Sequence, residues 1–229
     1  MRIGCAVFVS VRHQPLQLAK SLSTLDQLSR GRLEVGFGLG GRRGLEAFGV
    51  PEDGLVTRFT EGIELMKACW TQPEISFHGR FFRVEGAMEP KAYQKPHPPV
   101  WIGGHKPAAV RRAVRHGDGF IGAGGATTEA FAEQVRTVRA ELARTGRDPG
   151  TFGIAKRVYV SVGAPGRIDE QLRSMYGSAD VAVTGTPEEC ARGLRAVIDA
   201  GADLVLLDPM TGEAEQLDRL ANEVLPTLF

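Results

Sequence analysis

The 229-residue chain is poor in the features that would place it quickly. It has three cysteines, Cys5, Cys69 and Cys190, far apart and in no CxxC or Cys/His metal spacing. Disulfide scaffolds and zinc modules are excluded, and the thiols read as small buried hydrophobes of a reducing compartment. The five histidines show no ligand spacing and HExxH is absent, so no metal site is expected. Charge of one sign is also missing. Twenty-eight basic residues face 27 acidic ones, a net charge of +1. That balance offers no field for nucleic acid or an anionic membrane. No apolar run approaches the ~18 residues of a membrane span. Met1-Arg2 followed by apolar Ile3–Val11 has the polarity of a leader, but it lacks a small-residue cleavage site and runs into Arg12-His13. It reads as a buried strand, and the chain as a cytoplasmic protein. Ser-His-Asp order, GxSxG, a kinase set and a P-loop are all absent.

What is there is an alternation. Hydrophobic residues make up 42% of the chain, enough for one substantial core. Strand patterns at Ile3–Val9, Leu33–Leu39, Val100–Gly103, Gly119–Ile121, Gly153–Val162 and Leu204–Leu207 are each followed by a helix pattern. Those helices run over residues 15–28, Thr57–Trp70, Pro107–His116, Thr127–Thr145, Thr186–Ala200 and Glu213–Leu225. Pro15 and Pro107 stand at first-turn positions, and Thr186-Pro187-Glu188-Glu189 has the form of a capping box. Six β-then-α units in one composition regime predict a single α/β domain over residues 1–229, with a parallel sheet as an open doubly wound layer or a barrel. The exception is ISFHGRFFRV (Ile75–Val84), two aromatic-rich runs around His78-Gly79-Arg80, which predicts an inserted hairpin.

Two glycine-rich segments could carry chemistry. Gly36-Phe37-Gly38-Leu39-Gly40-Gly41 fits GxGxxG after a strand, but Arg42–Gly54 then reads as a loop and no acidic residue follows at a strand end. Three readings stay open: a dinucleotide turn, a plain turn, or bare backbone against which a flat ring can lie. In Val100–Ala109, a strand ends in Gly103-Gly104 and a helix begins at Pro107. Free amides at that N-terminus, with His105 and Lys106 beside them, suit a phosphate; a tight turn with a solvated lysine is the alternative. Arg42 and Arg43 could meet an anionic group or be solvated. Asp118 and Asp208 are acid–base candidates by position alone, and the catalytic residues are unknown. Any chemistry therefore falls to a bound cofactor.

Taken in order, Leu18–Gly40, the Thr57–Trp70 helix, Phe77–Phe82 (FHGRFF), Lys95–Gly104 (KPHPPVWIGG), Gly117–Phe120 (GDGF) and Thr184–Cys190 (TGTPEEC) resemble the bacterial luciferase-like flavin or coenzyme F420-dependent oxidoreductases. The resemblance implies a TIM-type (β/α) barrel with ligand loops at the C-terminal strand ends. It also implies that two βα units normally precede this segment and bring an acidic–His pair, so about six units of a truncated barrel are expected here. By the same resemblance, Ala6 and Val9 lie under the cofactor ring, in a stretch that often holds a cis non-proline bond. Gly38, Leu39 and Gly40 lie beside the ring, and Gly103, Gly104, His105 and Lys106 hold the cofactor phosphate. Gly41 stands where some sugar-phosphate dehydrogenases of the family carry a catalytic Glu, so that activity is not implied. The expectation is an oxidoreductase using coenzyme F420, or FMN, for hydride transfer with a small organic substrate. The alternative is a shortened cofactor-binding protein without turnover. The edges of Ile3–Val9 and Leu204–Leu207 would lack partners, and a homodimer is expected to cover them.

Overall fold

The computed structural model describes residues 1–163 and 168–228, without the side chains of Arg42 and Arg43. The chain forms two compact units, Met1–Gly103 with Arg115–Gly119, and Gly104–Val114 with Phe120–Phe229.

In the first unit β1 (Ile3–Val9) leads through a tight turn at Ser10–Arg12 into α1 (Pro15–Ser29) and β2 (Leu33–Gly38). Pro15 occupies the first turn of α1 and the Gln14 side chain accepts from Gln17 N–H. The helix stops where Arg30 turns left-handed at φ 53° and Gly31 follows at φ 77°. A short α2 (Arg42–Glu46) and the long α3 (Leu55–Thr71) come next, then the hairpin β3 (Ile75–His78) and β4 (Arg83–Gly86), then β5 (Val100–Gly104). β1, β2 and β5 pair in parallel. Leu18, Ala19 and Leu22 of α1 and Phe59, Ile63, Met66 and Trp70 of α3 are buried, and Trp70 Nε1–H donates to Ala19 O at 2.9 Å. These faces of α1 and α3 pack on each other, tied by a bond that keeps the indole N–H satisfied, whereas Leu25 and Leu28, which continue the apolar spacing of α1, are exposed.

The LxTLDQLSRG stretch and the KPHPPVWIGG stretch are joined by Asp26. It is fully buried, and its carboxylate accepts from Gln94 N–H and Gln94 Nε2, both at 2.9 Å. Asp118 has a similar task, accepting from Val100 N–H at 2.9 Å where β5 begins.

The second unit holds α4 (Pro107–His116), β6 (Gly119–Gly122), α5 (Thr128–Thr145), β7 (Gly153–Val162), α6 (Asp169–Tyr176), β8 (Ala182–Gly185), α7 (Pro187–Asp199), β9 (Leu204–Asp208) and α8 (Glu213–Arg219). Ten-residue β7 is hydrogen-bonded to β6, β8 and β9. Tyr159–Val162 pair with β8, and Ala155–Tyr159 with β9. Thr127 caps α5, and Thr186 with Glu189 closes the expected capping box on α7.

Three expectations need correction. The parallel series has seven strands, not six, because four-residue β8 follows the unforeseen α6. AVTG is too short to give a period, and its partner strand supplies the order. Arg42–Gly54 is not all loop: α2 occupies its start, and Gly49 and Gly54 turn at φ 63°. Ile3–Val9 is a strand, but none of its seven residues is buried, since β2 is its one hydrogen-bonded neighbour among the described residues.

Candidate functional site

Parallel pairing brings the C-terminal ends of β1 and β2 together, with Val9 opposite Gly38. The register slips by one residue between Cys5 and Phe8, and within that slip the Ala6–Val7 peptide is cis, where the resemblance places such a bond. The glycines of β2 answer to β1. A Cβ on Gly38 would fall 2.7 Å from Val7 Cγ2, and one on Gly40 2.6 Å from Val9 Cγ1. Gly40 also has φ 77°, a region that side chains disfavour. These glycines let the two strands close up, and the loop beyond them then opens.

That opening is a cleft of about 540 Å³ lined by Leu39, Gly40, Leu45, Glu52 and residues 54–57 at the start of α3. Its size falls in the range of small-molecule sites, roughly 300–1,000 Å³. Leu39, Leu45, Leu55 and Val56 give it apolar walls, and Thr57 supplies a hydroxyl. Of the residues singled out from sequence in this unit, Leu39 and Gly40 line the cleft. Gly38 is buried beside Val7, Ala6 is exposed and Val9 half-buried. Leu45 and Leu55–Thr57 were not foreseen. Their position depends on how α2 and α3 fold back after β2, and no local pattern encodes it. The Arg42 and Arg43 side chains lie outside the described residues.

In the second unit, α4 begins at Pro107 with no acidic residue in its first turn and with Arg115 and His116 in its last, which suits its dipole. Lys106 O accepts from Ala109 N–H at 2.8 Å, and Gly104 O accepts from Ala123 N–H at 3.3 Å. His105 and Lys106 are exposed, while Gln134 Nε2 holds His105 O at 3.1 Å. A side chain on Gly104 would collide with Ala109 Cβ, so this glycine is required by the turn itself. Gly103 belongs to the first unit.

Several other polar groups of the second unit satisfy one another, although Gln134 Oε1 and Ser161 Oγ are buried with no partner among the described residues. The Tyr159 and Tyr176 hydroxyls are 2.6 Å apart, Arg157 pairs with Asp208, and the Arg157 guanidinium lies 4.9 Å from the Tyr159 ring centre. Burial, and then the bond to Tyr176, push the Tyr159 hydroxyl well above its ordinary value. Lys156 is 2% exposed and its Nζ donates to Ala123 O at 2.7 Å and Arg157 O at 2.9 Å. Burial, helped by the Arg157 charge, brings it down to about 8. Asp208 is thus committed to Arg157, and Asp118 to the start of β5. Cys190 is buried, which raises its thiol to about 11 and leaves it unreactive. Among the described residues no cluster of three His, Cys, Asp or Glu side chains could hold a metal ion, and no helix is long and apolar enough to cross a membrane.

Known proteins carry the same plan. A phthiodiolone/phenolphthiodiolone dimycocerosates ketoreductase of Mycobacterium sp. (strain JLS) is 31% identical over 178 residues, covering 76% of this chain and 47% of that protein. An FMNH(2)-dependent dimethylsulfone monooxygenase of Pseudomonas putida is 36% identical over 137 residues, covering 58% of this chain and 38% of its own length. The chain therefore spans less than half the length of these relatives. The crystal structure of monooxygenase RslO1 from Streptomyces bottropensis superposes on the whole chain and on 79% of its own length with a TM-score of 0.83 at 24% identity. An F420-dependent secondary alcohol dehydrogenase in complex with an F420–acetone adduct gives 0.84 at 17% identity, covering 80% of that chain. These likenesses establish the (β/α) barrel-type fold. The family model of luciferase-like monooxygenases matches residues 1–180. The chain belongs to the luciferase-like monooxygenase family.

Proposed function

We propose that the chain is an oxidoreductase domain that binds coenzyme F420, or FMN in its place, and exchanges a hydride with a small organic substrate. The observation that carries this reading is the cleft of about 540 Å³ at the C-terminal end of β2, lined by Leu39, Gly40, Leu45, Leu55 and Val56 among others. In parallel α/β folds, ligands sit at that end of the strands. The cleft fits a flat heterocycle in size and polarity. Gly38, Leu39 and Gly40 with Ala6 and Val9 are proposed as the ring-facing residues. Thr57 is the polar group placed to orient a ring edge. Gly103, Gly104, His105 and Lys106 are proposed as the phosphate-binding group, on the chemistry of the α4 N-terminus: a favourable dipole, no acidic residue in the first turn and an exposed lysine.

When bound, the cofactor supplies the hydride chemistry that no side chain here offers. The chain's own part is to exclude water with the leucines and to orient the ring. The relative called an FMNH(2)-dependent monooxygenase and the structural neighbour with an F420 adduct support the two cofactor choices equally. A homodimer is proposed too, because β1 has no buried residue and, among the described residues, no strand on its second edge. A folded species at the 24.7 kDa chain mass in sedimentation would refute the dimer.

The test is to titrate the purified chain separately with F420 and FMN and follow ring absorbance. One of the two is expected to bind, and Lys106→Glu is expected to weaken it at least tenfold without moving the melting temperature. Binding without turnover across a panel of alcohols, ketones and sulfones would favour the non-catalytic alternative. No spectral change with either cofactor would refute the reading.

A further inference from the structure

A second, smaller cavity in the first unit has a different character. It has about 20 Å³ of free space, above the ~10–15 Å³ that one water molecule needs. Ser10, Val11, His13, Arg58, Met66 and Phe82 are among its walls. Two polar atoms in those walls are sealed from solvent and have no hydrogen-bond partner, Ser10 Oγ and Arg58 Nε. Ser10 itself is 8% exposed. A buried N–H of a guanidinium left unpaired is costly, and the charge makes it more so.

Arg58 has no ion-pair partner among the described residues; its guanidinium lies 4.8 Å from the centre of the Phe81 ring. The nearest carboxylate along α3, Glu61, is already committed. Its two oxygens accept from Arg80 N–H at 2.9 Å and Phe81 N–H at 2.8 Å. Those bonds fasten the tip of the β3–β4 hairpin onto α3. The FHGRFF segment thus does two things at once: Phe81 fixes the Arg58 guanidinium by cation–π contact, and Phe82 walls the cavity.

We propose that this cavity is a binding site for one monoatomic anion of chloride size, held by Arg58 Nε–H and Ser10 Oγ–H and closed by Phe82 of the hairpin. Both groups can donate, and an anion can accept from both while supplying the negative charge that Arg58 lacks. A water molecule would satisfy the donors but leave the charge uncompensated. Sulfate and phosphate are too large for the space. The inference is independent of the cofactor, since it rests on the hairpin, α3 and the turn after β1.

Crystals of the full chain soaked in sodium bromide provide the direct test. An anomalous peak within hydrogen-bond distance of both Ser10 Oγ and Arg58 Nε is expected. In solution, chloride is compared with gluconate at equal ionic strength. A saturable rise in melting temperature of about 3–6 °C at tenfold excess over Kd is expected for chloride alone. Arg58→Gln is expected to abolish the difference and Ser10→Ala, which keeps the charge and the fold of the turn, to weaken it several-fold. Ordered water without bromide at the cavity would overturn the proposal. So would a chloride response that survives in Ser10→Ala at full strength.

Discussion

The two compact units treat their charged groups differently. Around the strand ends of the first, polar groups are few or left waiting. Glycines replace side chains at Gly38 and Gly40, the cleft is lined by three leucines and Val56 beside Glu52 and Thr57, and Ser10 Oγ and Arg58 Nε have no partner. In the second, the charged and phenolic groups of β7 are matched within the unit, Arg157 to Asp208, Tyr159 to Tyr176, and Lys156 to two carbonyls, while Ser161 Oγ on the same strand is buried with no partner among the described residues. A polar group that already has its partner builds the scaffold, while one without a partner, or a surface stripped of side chains, leaves room for a ligand. The contrast shifts attention to the first unit, although the sequence offers more ionisable residues on β7 than on β2.

Substitution of Gly40 should have the strongest effect in the first unit. Gly40→Val would put a branched side chain at φ 77° and against Val9 Cγ1. Left-handed strain and overpacking together cost about 2–5 kcal/mol. The substitution is therefore expected to lower the melting temperature sharply as well as to abolish cofactor binding, which makes it a probe of strand packing. An unchanged melting temperature would mean that β1 and β2 do not meet here as described. Gly104→Asp has the same weakness, because Ala109 already fills the space, and exposed Lys106 is the better probe of the phosphate group.

A smaller effect sharpens the second side. Lys156 is buried without a counter-charge, and its folded value near 8 lies below the ordinary 10.5. Between those two values the unfolded chain holds a proton that the folded chain has released. Stability contributed by this group therefore rises as pH goes from about 8 towards 10.5, by about 3 kcal/mol in total. Urea midpoints of the parent and of Lys156→Met across that range should converge or cross as pH increases. The difference between the two proteins removes the contribution of Tyr159 and other common groups. Parallel pH profiles would show that Lys156 reaches solvent, and that β7 is less sealed than the comparison requires.

What could be read from sequence follows the range of the interactions involved. Helix starts at Pro15, Pro107 and Thr186 were legible because capping is decided within one turn. The hairpin was legible because His78-Gly79-Arg80 separates two aromatic runs, although the reason for its presence, Phe81 and Phe82 against Arg58 and Ser10, was not. α6 and β8 were missed because neither eight nor four residues establish a period, and β8 exists through its register with Tyr159–Val162. The glycines of β2 were found from their spacing, but the walls of the cleft were not. Leu45 and Leu55–Thr57 become neighbours of Gly40 only when the chain after β2 folds back. Cavity residues such as Ser10 and Arg58 carry no motif at all; a missing partner is visible only in three dimensions.

The smallest effect concerns the tyrosine pair, the simplest case of self-satisfaction in the second unit. Tyr159 is 3% exposed on β7, and Tyr176 is 43% exposed at the end of α6. Their 2.6 Å contact is the polar tie between helix and strand, beside the apolar contacts of Ile168 and Leu172. Tyr176→Phe keeps the ring and deletes one hydroxyl, so the loss should be that of a single neutral hydrogen bond, about 0.5–1.5 kcal/mol. For a chain of this size that is a fall of about 2–4 °C in melting temperature per kcal/mol. The Tyr159 hydroxyl should also move. Burial is the first cause of its rise and Tyr176 the second, so its ionisation, followed by absorbance as pH is raised, should shift downward while staying above the ordinary tyrosine value. If the variant instead left both melting temperature and Tyr159 ionisation unchanged, α6 would not rest on β7, and Tyr159 would join Ser10 and Arg58 among the groups still awaiting a partner.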